Sequence, residues 1–229
     1  MRINTREELN DISSKYKAAL VRQRKQILVC AGTGCVAGGS LNIYRRFKEI
    51  IKEKGLEVTL ELKEEPHDNT IGLKKSGCHG FCEMGPLIRI EPEGWLYIKV
   101  SIDDCEEIIE KSIIGNEVVT GLSYKDGDKL YSKQEDIPFY KKQTRVALNN
   151  CGHINAESIE EYLAEGGYSA TTKALFDMTS EEIINEMSEA HLRGRGGGGF
   201  PTGKKWDQVL KQTESEKYIV CNLSLIHIS

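Results

Sequence analysis

Apolar residues in the first hundred positions change period several times, and each change predicts an element. Leu9, Ile12, Tyr16 and Leu20 stand three or four apart, which predicts an amphipathic helix from about Arg6 to Arg22. Gln26–Ala31 (QILVCA) is a short, mostly apolar run and reads as a buried strand. Leu41, Tyr44, Phe47 and Ile51 return to helical spacing, with Gly55 placed where a C-terminal cap belongs. Leu56–Leu62 (LEVTLEL) alternates with period two, as a half-buried strand does. Leu87–Val100 (LIRIEPEGWLYIKV) predicts a hairpin turning at Pro92–Gly94, and Ile102, Cys105, Ile108 and Ile109 a closing helix. Strand, helix, strand, loop, hairpin, helix is the order of a small α/β layer, one that several α+β folds share.

From about Gly115 to Gln143 the periodicity fades into charged and turn residues, which predicts a linker. Helical spacing resumes at Ser158, Ile159, Tyr162 and Leu163 and stops at Gly166–Gly167. Thr179 and Glu182 form a capping box for a further helix through Ile183, Ile184 and Met187. The expected layout is an N-terminal helix (1–25), a first domain (26–114), a linker (115–143) and the start of a second domain (144–222).

Charge and composition exclude several functions. The 229 residues are 39% hydrophobic and 29% charged, and the net charge of −4 gives no footprint for nucleic acid. No apolar run approaches the roughly 20 residues of a membrane span, so no direct membrane insertion is expected. The charged, alternating N-terminus is unlike a signal peptide, and a cytoplasmic setting is expected. In a reducing compartment, seven cysteines point to metal binding or redox chemistry before disulfides.

Cys30 and Cys35 flank four residues after the first strand, and Cys78 and Cys82 flank three in SGCHGFCEMG. Two close pairs on separate loops can converge on one centre. An iron–sulfur cluster takes thiolates from a glycine-rich pocket where backbone N–H groups reach the sulfurs. A zinc site of four cysteines suits the same pairs, and four ordinary buried thiols need no metal. The plant-type ferredoxin spacing is absent because position 38 is Gly38, and a Rieske site lacks histidines, with only His79 nearby. CAGTGCVAGGS, together with SGCHGFCEMGPLIRIEP, resembles the thioredoxin-like 2Fe-2S ferredoxin domain over roughly Gln26 to Lys111. The resemblance implies one 2Fe-2S cluster with Cys30, Cys35, Cys78 and Cys82 as metal ligands. Cys105 is expected as a core thiol and Cys151 as a packing residue. None of His67, His79, His153 and His191 is assigned to a metal.

The other feature is HLRGRGGGGFPTGKKW, from His191 to Trp206. Consecutive glycines are entropically costly to order, so they need a steric reason such as a backbone laid against a ligand. Gly194, Gly196 and Gly199 match G-x-G-x-x-G, but a capped helix precedes them where a dinucleotide fold needs a strand. Gly198 to Lys204 matches most of a phosphate-binding P-loop, but Lys205 stands where a magnesium-binding hydroxyl is required. Arginines, lysines and Phe200 are poor choices for a flexible spacer. An anionic, flat cofactor suits them all. LRGRGGGGFPTGKKW, with NCGHINAESIEEYLAEGGY and YIVCN, resembles the NADH-binding flavoprotein subunit of complex I and its relatives. Those relatives occur in bifurcating and NADP-reducing hydrogenases and in NAD-dependent formate dehydrogenases. This resemblance implies that Gly194, Arg195, Gly196 and Lys205 approach FMN, with Asn222 beside it. It implies that Gly197, Gly198, Gly199 and Phe200 line NAD(P)H. Gly198 and Lys204 depart mildly from the family's usual Ala and Leu.

The fold class expected is therefore α/β: a thioredoxin-like 2Fe-2S ferredoxin domain followed by the truncated start of an α/β FMN/NADH-binding flavoprotein domain. The function implied is electron transfer between NAD(P)H, FMN and iron–sulfur clusters, in a hydrogenase-type or NADH-dehydrogenase-type oxidoreductase. Its partners would be other iron–sulfur subunits of that complex. Residues 223–229 depart from the family pattern and are read as a non-native tail. The 4Fe-4S clusters of the family are expected only in a missing C-terminal part. A stand-alone 2Fe-2S carrier or interaction module without flavin activity is the alternative.

Overall fold

A capping box starts the first helix, α1 (Arg6–Val21): the Thr5 hydroxyl accepts from the Glu8 N–H, and the Glu8 carboxylate accepts from the Thr5 N–H. The computed structural model describes residues 3–60, 70–216, 218 and 220. They fall into two units, Met1–Gly167 and Tyr168–Ser229.

In the first unit β1 (Lys25–Cys30) is the middle strand of five. The order is β2 (Val58–Thr59), β3 (Ile71–Ser76), β1, β4 (Ile88–Glu91) and β5 (Trp95–Tyr97). β2 and β1 both pair in parallel with β3, whereas β4 runs antiparallel to β1 and to β5. A central strand covered on both faces explains why Ile27–Cys30 is uniformly apolar and does not alternate. Two helices follow β1: α2 (Thr33–Ala37) and α3 (Ser40–Glu53). α3 lays Ile43, Phe47, Ile50 and Ile51 on the core. It stops at Gly55 (φ +63°), where Gly55 N–H donates to Lys52 O and Leu56 N–H to Ile51 O. After the hairpin, α4 (Asp104–Glu107) continues as a π-helix through Ile108–Ile114 and buries Cys105, Ile108 and Ile109.

Three parts of this unit differ from the sequence expectation. β3 falls in the stretch read as loop, because Lys74 and Lys75 break its apolar run. Lys74 is nonetheless buried, paired with Glu161 at 3.0 Å. The segment 115–143, expected as a linker, is folded: β6 (Tyr124–Asp126), β7 (Lys129–Tyr131) and α5 (Pro138–Lys141) run beside β5. Bridges Tyr97–Ser123 and Trp95–Lys133 join them, and Ile137 and Tyr140 are buried. Elements of three or four residues are too short to show a period, which is why this region looked irregular. Finally α6 (Ile159–Ala164) belongs here, tied to β3 by Glu161, and does not open the second unit. The strand expected at Leu56–Leu62 is described only to residue 60, and His67 lies outside the described residues.

The second unit holds α7 (Ser169–Asp177), α8 (Ser180–Glu189) and α9 (Thr202–Leu210). The Thr179–Glu182 capping box opens α8 as expected. Among its described residues there are helices and one isolated bridge, Arg193–Pro201, and no sheet of an α/β domain. Gly203 sets its packing: a Cβ there would stand 2.2 Å from Ser188 Oγ and 2.9 Å from Ser188 N. Leu175, Phe176, Phe200, Trp206 and Val209 are all exposed. Among the described residues of both units, no helix is long and apolar enough to cross a membrane.

Candidate metal centre

Parallel pairing of β1 with β3 brings the two cysteine loops together, because parallel strands end at the same edge of a sheet. Cys30 faces Ser76 across the last rung. From there one chain segment enters α2 with Cys35, and the other runs through Cys78 to a 3-10 turn that starts at Cys82. Cys30 and Cys35 are buried, Cys78 and Cys82 exposed. The Sγ atoms of Cys78 and Cys82 stand 3.9 Å apart.

Glycines let the loops meet. A Cβ at Gly32 would stand 2.9 Å from Cys78 Cβ and 3.0 Å from its Sγ. One at Gly34 would stand 3.3 Å from Cys82 Cβ, and one at Gly85 would stand 2.8 Å from Cys35 Sγ. Gly32 and Gly34 of the first loop thus face the second pair, while Gly85 of the second loop faces the first pair. Among the described residues, no three His, Cys, Asp or Glu side chains gather as one metal ion needs. Cys30 hydrogen-bonds both Cys35 and Cys78, and Cys78 stands beside Cys82.

The surroundings favour thiolate at Cys30 and the protonated thiol at Cys35 and Cys78. A hydrogen bond from Cys35 lowers the Cys30 pKa from 9.0 to about 6 against the cost of burial, and backbone N–H groups of His79 and Gly32 help. The same bond, with burial, holds the Cys35 proton on. Burial raises Cys78, although the Gly80 N–H donates to its sulfur at 3.3 Å. Thiols that share protons in this way release them when a metal binds.

His79, read from the sequence as one of several scattered polar histidines, is fully buried between the second pair of cysteines. Ser76 Oγ lies 2.8 Å from its Nε2 and Gln134 Oε1 3.2 Å from its Nδ1. Its carbonyl accepts from Arg145 at 2.7 Å. Burial keeps the imidazole neutral, with its pKa lowered from 6.5 to about 4. Gly152 (φ +87°) gives it room, since a Cβ there would stand 2.8 Å from Nδ1. Phe81 beside Cys82 stacks on Phe139, with ring centroids 4.6 Å apart. Tyr140 fills the same buried cluster as Cys30 and Cys35. Gln134, Phe139 and Tyr140 all come from the supposed linker, so nothing in the sequence pattern pointed to them. Gly32, Gly34 and Gly85 could have been found, because each lies within three residues of a cysteine.

The glycine run of the second unit stands apart from this centre in the chain. Gly194 N–H donates to Phe200 O at 2.9 Å, and Thr202 N–H to Leu192 O at 2.9 Å, closing an exposed loop. At Gly196, Gly197, Gly198 and Gly199 a Cβ would meet nothing within 4 Å. Gly197 and Gly199 have φ of +103° and +57°, which favours glycine there. Arg195 and Lys205 are exposed, Lys205 in the first turn of α9. A cavity of about 450 Å³ between α8 and α9 is lined by Arg193 and Lys204, among others, but by none of residues 194–200. Asn222 and the segment 223–229 lie outside the described residues.

A mixed sheet thus delivers two pairs of free cysteines to one end of its central strands. Residues 14–112 match the thioredoxin-like 2Fe-2S ferredoxin family, and the chain carries a domain of that family. It is homologous to the NADP-reducing hydrogenase subunit HndC of Solidesulfovibrio fructosivorans, 49% identical over 82 residues. That stretch is 36% of this chain and 16% of the relative. A subunit of the NADH-quinone oxidoreductase of Aquifex aeolicus is 54% identical over 77 residues, 34% of this chain and 18% of that one. The match thus spans about a sixth of the length of these curated relatives. Among solved structures, the thioredoxin-like 2Fe-2S ferredoxin of Aquifex aeolicus aligns with 26% identity and a TM-score of 0.35. The alignment covers 44% of this chain and 97% of that one.

Proposed function

We propose that the first unit is a one-electron relay of an NAD(P)-linked oxidoreductase, with Cys30, Cys35, Cys78 and Cys82 holding a 2Fe-2S cluster. The observation that carries this reading is the meeting of the two thiol pairs across Gly32, Gly34 and Gly85, where an added Cβ would crowd the cysteines. Four cysteine thiols suit a binuclear cluster, which takes two thiolates for each iron. Bound there, the cluster would accept and release single electrons. The chain's own residues would tune it. Backbone N–H groups of Gly80, His79 and Gly32 aim at sulfurs and favour added negative charge. Buried Cys30 and Cys35 keep one side dry, while exposed Cys78 and Cys82 leave the other open to a redox partner.

For the second unit the reading is an FMN and NAD(P)H site. Gly194, Arg195, Gly196, Lys205 and Asn222 would take the flavin, and Gly197–Gly199 with Phe200 the nicotinamide dinucleotide. FMN would supply the exchange between hydride pairs and single electrons. The open glycine tip supports it, since no side chain or backbone of the described residues occupies that space. The homology to NAD(P)-linked enzyme subunits supports it as well. Iron–sulfur partner subunits, 4Fe-4S clusters and a cytoplasmic setting follow from the same reading of the assembled enzyme.

One observation favours the carrier without flavin. Phe200, Trp206 and Val209 are exposed, so the described residues form one wall of a cofactor site and not its opposite side. Anaerobic reconstitution separates the readings. About two irons per chain and a 2Fe-2S signal on reduction support the relay, and zinc as the sole metal overturns it. Stoichiometric FMN binding by this chain rules out the flavin-free carrier.

A further inference from the structure

The Tyr140 side chain is 8% exposed, and its hydroxyl oxygen is buried with no hydrogen-bond partner among the described residues. A buried donor left unpaired is costly, so it points to a partner beyond the described residues. The position of the ring says which partner. It lies in one buried cluster with Cys30 and Cys35. It stands edge-on to Phe81 (centroids 5.6 Å apart, interplanar angle 84°), and the Arg145 guanidinium lies 5.1 Å from its centroid. The hydroxyl is thus a buried, unpaired donor in the cluster that holds Cys30 and Cys35.

We propose that the Tyr140 hydroxyl donates a hydrogen bond to a sulfur of the bound 2Fe-2S cluster and raises its reduction potential. The proposal rests on the cluster reading above. A donor at sulfur stabilises the reduced cluster more than the oxidised one, because reduction adds negative charge. The family match ends at residue 112, so this donor comes from the segment folded back beyond that domain.

The test uses the full chain, wild type and Tyr140→Phe, reconstituted anaerobically. Iron and sulfide content are measured first, then the midpoint potential by EPR-monitored titration, and thermal unfolding with and without the cluster. Tyr140→Phe should keep its cluster and become about tenfold harder to reduce, about 59 mV for one electron. Without the cluster it should be as stable as wild type or more so, since an unpaired hydroxyl has gone; with the cluster that advantage should vanish. Tyr131→Phe, in the same aromatic group, should leave the potential unchanged. A fully loaded Tyr140→Phe at the wild-type potential overturns the inference, and so does an equal shift in Tyr131→Phe. A wild-type chain that takes no cluster overturns the cluster reading instead.

Discussion

The sulfur of Cys35 lies where a side chain at residue 85 would begin: a Cβ on Gly85 would be 2.8 Å from Cys35 Sγ. Gly32 stands in the same relation to Cys78 on the other loop. Gly85→Ala and Gly32→Ala should each cost about 1–3 kcal/mol through overpacking and lower the iron content after reconstitution. Gly121→Ala is the control, because its Cβ meets nothing within 4 Å. It should stay within about 0.5 kcal/mol. Urea unfolding and iron analysis on the three variants check this, and full iron in Gly32→Ala and Gly85→Ala would show that the room is not needed.

Cysteines of this chain should divide sharply by position. Cys78→Ser should abolish or strongly alter the reduced cluster's EPR signal. Cys105→Ser should leave it intact, because that thiol is fully buried in the sheet–helix core and donates to the Ser101 carbonyl. Burial pushes its pKa to about 12, so it offers no thiolate to a metal. Loss of the signal in Cys105→Ser with the protein still folded would count against the four-cysteine ligand set.

Much of the first unit was legible in the sequence because its signals are local. α1 and α3 show helical spacing with a capping box and a left-handed Gly55, and β1 is an apolar run closed by Cys30. The cysteine pairs were legible for the same reason. What was lost depends on partners far along the chain. β3 looks polar until Glu161, 87 positions on from Lys74, neutralises the buried lysine. Gln134 and Tyr140 sit in a stretch whose charge and turns suit a linker, yet they reach His79 and the cluster of Cys30. In the second unit the glycine run was visible, but nothing in the sequence marked Gly203, which carries the helix packing.

The Lys74–Glu161 pair fastens α6 to β3, with side chains only 3% and 4% exposed. Burial lowers the Lys74 pKa, and Glu161 opposes that shift. Removing one charge strands the other in the interior, so Glu161→Gln should cost about 3–5 kcal/mol. Lys74→Met with Glu161→Gln should recover much of that loss, giving a large coupling in a double-mutant cycle. Limited proteolysis offers a second reading. Wild type should resist cleavage between residue 70 and about Gly167, whereas Glu161→Gln should be cut before α6. Additive single and double variants would mean that the pair is not what holds the helix.

Glycines in the second unit should separate into those the fold needs and those it does not. At Gly203 a Cβ would run into Ser188 Oγ at 2.2 Å, and Ser188 N and Cα would remain at 2.9 and 3.0 Å even with the hydroxyl removed. Gly203→Ala should therefore open the α8–α9 contact, and adding Ser188→Ala should rescue it only in part, since backbone cannot yield as a side-chain tip does. Gly196 is the opposite case, with nothing within 4 Å and no left-handed backbone. Gly196→Val should leave helix content, proteolysis pattern and the N-terminal cluster unchanged. In a flavin-loaded protein that contains this sequence, the same change should lose flavin or NAD(P)H oxidation, because the valine fills space the proposed cofactors need. Circular dichroism, protease mapping and flavin content on both variants decide it. Wild-type flavin content and turnover in Gly196→Val would show that the glycine tip does not touch the cofactor.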